Sequence, residues 1–198
     1  MQYSARRASY IAAFFLIVTV VTQLIYIGLR SAEIEFDSST IWTIEAVAFL
    51  AISVFALVPM ARGSAHTAAW AAVALGGAFN VIQVGMGLAM FGPVSEAGEA
   101  LAPVYQSILA GAFFLYFAGK FLFGFAGILL GLHLIRIGGG AAKAVGALAA
   151  LTGLGALATN LMGMSAGMDM VMIAGAAGTA ATLFLAMAAG MLAQTEAG

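Results

Sequence analysis

The chain has 198 residues, 64% hydrophobic and only 8% charged, with a formal net charge of −1. An ordinary soluble domain carries about 25% charge, so this composition excludes one and points to an all-α integral membrane protein with a single membrane domain, residues 1–198. The absence of a basic tract argues against a nucleic-acid partner. The absence of cysteine removes disulfides, thiolate metal sites and cysteine nucleophiles.

Arg6 and Arg7 precede the first apolar run, 9–29. That run is too long for a signal-peptide core and no small-x-small cleavage site follows it, so a retained first span is expected. Further apolar runs cover 41–60, 68–91, 105–135, 144–164 and 170–193. Each is long enough to cross ~30 Å of hydrocarbon as a helix, which predicts a six transmembrane helix bundle. The fourth run exceeds what a perpendicular span needs and is expected to tilt, or to begin as a short interfacial piece after Pro103. The Pro/Gly-bracketed stretch 92–103 offers a possible lid, and Gly138–Gly140 a flexible turn.

The linkers sort by charge. Arg6, Arg7, Arg62, Arg136 and Lys143 fall on one side. Arg30, Glu33, Glu35, Asp37, Glu96, Glu99 and Asp169 fall on the other. Lys/Arg excess marks cytoplasmic loops, so both termini are expected to be cytoplasmic, in the plasma (bacterial inner) membrane. Asp169, just before the sixth run, is expected to cap it.

Small and polar residues line up inside the runs. They are Thr19, Gln23, Tyr26 and Arg30 in the first, and Gly76, Asn80, Gln83 and Gly87 in the third. In the fifth they are Gly153, Ala156, Asn160, Gly163 and Gly167, and in the sixth Gly175, Thr179 and Thr182. The second run adds Glu45. Such stripes serve as inter-helix glue, since small residues let backbones approach and amides bond across. Their depth supports a second reading, a cavity open to the outside with Lys120 as its floor.

Lys120 lies near the middle of the fourth run. A charge at that depth costs ~2.5–3.5 kcal/mol and normally faces protein or trapped water. It shares a helix face with Gly124, Gly127 and Gly131. Phe114, Phe117, Phe121 and Phe125 crowd a neighbouring flank expected to face lipid. Three roles stay open for Lys120: an ion pair with Glu45, a functional cation, or a snorkelling side chain. The ion pair needs helix tilt, a long stem or a water, because the two depths differ by over ~10 Å. The candidate ligand site is Lys120, Glu45, Asn80, Gln83, Asn160, Gln23 and Tyr116.

His66 and His133 are far apart in the chain, one read as a loop residue and one as interfacial, and cannot form a metal cluster alone. Met162, Met164, Met168, Met170 and Met172 crowd the outer end of the last two runs, where packing is expected rather than Cu(I) binding. The segment Lys120-Phe-Leu-Phe-Gly124 resembles, over five residues, the Schiff-base lysine segment of microbial rhodopsins. Those proteins carry the lysine in their last span; here it falls in the fourth of six, with Tyr116 four residues before it, and no family is assigned. No cofactor or metal is expected. The functional expectation is a transporter or solute-binding membrane subunit taking a small polar or anionic solute. A non-catalytic subunit is the alternative, meeting itself or a membrane partner through Gly/Ala faces. A lipid-active enzyme is third, short of a convergent base.

Overall fold

A computed structural model describes residues 3–62 and 66–195. All regular structure among these residues is helical. Helix α1 spans Ala5–Ser31, and Ser4 caps it by accepting from Arg7 N–H at 3.3 Å. Helix α2 spans Ser38–Ala61, capped by Asp37, which accepts from Ser39 N–H at 2.9 Å and from the Ser39 hydroxyl. Helix α3, Thr67–Met86, runs on through a π-helical turn, Gly87–Phe91, into the short α4, Gly92–Glu96. After a 3-10 turn at Glu99–Leu101 comes α5, Ala102–Ile137, the longest at 36 residues. Helix α6 is Gly140–Ala166 and α7 is Val171–Thr195, joined by the 3-10 turn Gly167–Met170.

The structure bears on three expectations here. No interfacial piece breaks α5, because Pro103 sits in its first turn, where a missing N–H leaves no hydrogen bond unmade. The stretch 92–103 is mostly helical and interrupted at Gly98, with φ +80°. Asp169 lies inside the 3-10 turn and makes no side-chain hydrogen bond there; the carboxylate that caps a helix is Asp37.

Five helical stretches are long and apolar enough to cross a membrane: Ala5–Ser31, Ser38–Ala61, Thr67–Glu96, Glu99–Ile137 and Gly140–Gln194. The count differs from six because the last stretch, 55 residues, holds both α6 and α7. As one rod it would extend ~80 Å. Instead the backbone turns at Gly167, φ +68°, and the two helices lie against each other. Large apolar side chains stay exposed on the outside, among them Phe14, Leu50, Val54, Leu151 and Met172. Such a coat marks a membrane or protein contact surface.

Neighbouring helices follow chain order, α1–α2–α3–α5–α6–α7, and α7 returns to α1. Helix α5 also touches α7 across this ring, and its stretch is the most buried of the five. That position splits the expected aromatic flank. Phe114 and Phe125 are exposed, but Phe117 is fully buried against Gly163 of α6. Helix α5 keeps an exposed stripe through Phe114, Phe125 and Leu132, and Phe117 lies off it.

The glycine face of α5 meets α6. A Cβ at Gly124 would stand 2.8 Å from Gly153 O, and one at Gly131 would stand 2.5 Å from Gly146 O. On the other side of the seam, a Cβ at Gly153 would stand 2.6 Å from Gly124 O. Only hydrogen fits at these positions, so the two backbones touch directly.

Candidate functional site

Lys120 is halfway along α5 and 1% exposed. Gly178 of α7 makes room for its stem, since a Cβ there would fall 3.0 Å from Lys120 Cβ and Cγ. One turn on, the Lys120 ammonium donates to Thr182 Oγ1 at 3.5 Å, the long limit for such a bond. The Thr182 hydroxyl donates to Gly178 O at 2.7 Å, leaving its lone pairs toward the amine. Lys120 Nζ also lies 5.7 Å from the centre of the Tyr116 ring, within cation–π range.

Tyr116 carries the cluster to α1. Its hydroxyl accepts from Gln23 Nε2 at 3.1 Å. The residue before Gln23 is Thr22, whose hydroxyl lies 2.9 Å from Glu45 Oε1 on α2 and 3.1 Å from Thr19 O. A hydroxyl has one hydrogen to give. With Glu45 ionised, Thr22 donates to it. With Glu45 protonated, the acid donates to Thr22 and Thr22 donates to Thr19 O. Both protonation states keep a hydrogen bond.

Four helices thus meet in three hydrogen-bonded pairs: Glu45 with Thr22, Gln23 with Tyr116, and Lys120 with Thr182. Glu45 and Gln23 are half-buried, while Tyr116 and Lys120 are buried. Glu45 and Lys120 feel each other's charge but make no contact ion pair.

The other three predicted residues stand outside this cluster. Asn80, fully buried on α3, donates to Gly76 O at 2.7 Å and presses on Gly119 of α5. Asn160, fully buried on α6, donates to Ala156 O at 2.8 Å and across to Ala174 O of α7 at 3.3 Å. Asn160 bonds α6 to α7, Asn80 bonds only within α3, and the Oδ1 of each has no partner. Gln83 is half-buried, and its side chain makes no hydrogen bond among the described residues. The expected open cavity above Lys120 is closed, because Gly178, Thr182 and Tyr116 pack onto the lysine. Thr22 escaped the sequence reading, though it shares a helix face with Thr19 and Tyr26.

Two shallow sites lie at the bundle ends. At one, Arg30, Glu33, Ile34, Glu35 and Phe36 line a depression of about 520 Å3. Arg30 stands 5.6 Å from the Tyr26 ring centre and 5.9 Å from that of Phe36. Ring contacts continue from Tyr26 to Trp42, Phe91 and Tyr105, an aromatic band of the kind found at membrane–water interfaces. At the other end His66 and His133, far apart in the chain, come together with ring centres 4.1 Å apart. No group of three or more metal-binding side chains occurs among the described residues. No protein family, curated protein or solved structure matches the chain.

Proposed function

We propose that the chain is a six-crossing transport or solute-binding protein of the plasma (bacterial inner) membrane, with both termini cytoplasmic. Its site is the cluster of Glu45, Thr22, Gln23, Tyr116, Lys120 and Thr182, closed around the lysine. The supporting observation is the bonding of Lys120: a buried cation whose one hydrogen bond is long and goes to a neutral hydroxyl. A buried charge is stable only with close partners, and this one is left short of them. A small anion or polar solute seated among Lys120, Tyr116 and Gln23 completes its coordination. Glu45, satisfied in either protonation state, links solute movement to a proton. The alternative, a subunit docking through Gly/Ala faces, has less surface to use, because Gly146, Gly153 and Gly163 are covered inside the chain.

The test is counterflow in liposomes with acetate, lactate, phosphate and chloride as probes. Lys120→Met should lower flux of the accepted probe about 10- to 100-fold, the scale of a charged hydrogen bond of ~1.5–3 kcal/mol. Equal flux in the variant, or none of any probe in the native chain, rejects the reading.

A further inference from the structure

Where α3 begins and α5 ends, the two helices lie side by side. His66, the residue before α3, packs against His133 of α5 with the rings inclined at 61°. Arg136 follows on the same face of α5. With Ala68, Ala69, Leu129 and Leu132, these three line a depression of about 410 Å3, and no carboxylate among the described residues lines it.

The lining is ordered. Leu129, Leu132, His133 and Arg136 fall on one stripe of α5, at offsets of three, four and seven from the first. Along that stripe, from the middle of the helix toward its end, the surface changes from apolar to cationic. The facing residues of α3 are alanines, which leave space. Leu132 is 43% exposed, so the stripe opens sideways to the bundle's apolar exterior. A phospholipid in a bilayer has this same order, with chains toward the middle and the phosphate at the edge. Basic pockets between membrane helices on the Lys/Arg-rich side bind anionic headgroups.

We propose that this pocket binds the phosphate headgroup of an anionic phospholipid, held by His66, His133 and Arg136, with its acyl chain along Leu129 and Leu132. The Arg136 guanidinium presents a planar fork matched to phosphate oxygens. Each imidazole donates one N–H when neutral and two when protonated. Burial and the nearby charge of His133 hold His66 below its ordinary value of 6.5. A phosphate beside the rings opposes both effects, so binding takes up protons and tightens as pH falls. The charged groups lining the pocket from α3 and α5 are these three, all basic, and Arg62 closes α2 four residues before His66. The site requires that the chain lie in a bilayer. It does not require the transport role of Lys120, so either can fail alone.

The experiment is native mass spectrometry of the delipidated full chain with phosphatidylglycerol, phosphatidylcholine or inorganic phosphate, at pH 6 and pH 8. Phosphatidylglycerol should bind at least about fivefold tighter than phosphatidylcholine, and tighter at pH 6. Arg136→Gln with His133→Gln should erase both preferences, and Arg136→Lys alone should keep part of the first. Equal binding of the two lipids by the native chain overturns the proposal, as does a double variant that keeps both preferences. Inorganic phosphate competing as well as the lipid also overturns it, in favour of a soluble anion. Should the double variant fail to fold, the native chain's lipid and pH preferences still decide.

Discussion

Helix α5 meets its neighbours in two opposite ways. Toward α6 it presents Gly124, Gly127 and Gly131, and the contact is backbone on backbone with no polar side chain to satisfy. Toward α1 and α7 it presents Tyr116 and Lys120, and the contact is a chain of long polar side chains, one of them incompletely bonded. The first contact has no alternative arrangement, because any slip drives carbonyl oxygens into α-carbons. The second has several, because hydroxyls and a lysine stem can exchange partners without moving a helix. One helix thus serves as both the fixed and the adjustable part of the bundle.

The comparison breaks first at the seam. Gly131→Ala places a methyl group 2.5 Å from Gly146 O and should lower stability by ~1–3 kcal/mol, the cost of overpacking. Thermal unfolding in detergent measures it. Gly155→Ala on α6, with nothing within 4 Å, is the control and should be neutral or better. Equal melting of both variants would show that the seam is not tight.

Lys120→Met tests the adjustable side and should act in the reverse sense. Removing a poorly paired buried charge should leave stability unchanged or raise it, by up to ~1–4 kcal/mol, even as probe flux falls. A variant that unfolds would make Lys120 a structural strut instead.

Asn160→Leu should fall between these. It removes the bond across to Ala174 O, for a loss of about 1 kcal/mol, while probe flux per folded molecule stays native. A flux defect would draw Asn160 into the site. The smallest effect belongs to the loop before α2. The Ser39 hydroxyl and N–H hold the Asp37 carboxyl below its ordinary 3.8. Its capping contribution is complete above about pH 4 and is lost as pH falls through the lowered value. Asp37→Ala should therefore melt slightly lower than the native chain at pH 7, and the difference should shrink as pH is lowered.

Several features were legible in the residues themselves. Hydropathy showed where helices run, because twenty apolar residues can be solvated by lipid but not by water. The cost of a charge at that depth favoured a protein-facing Lys120 over a snorkelling one, and the glycine face marked where another backbone comes close. The single sequence does not contain the rotation and axial offset of one helix against the next. Those two quantities bring Glu45 into the field of Lys120 through Thr22 and Gln23, and they leave Asn80, Gln83 and Asn160 outside. They also place His66 on His133 and bury Phe117 on a flank that looked lipid-facing. Periodicity states which side chains share a face. Which face of which neighbour they meet is set by packing all the helices at once, and that only the tertiary structure decided.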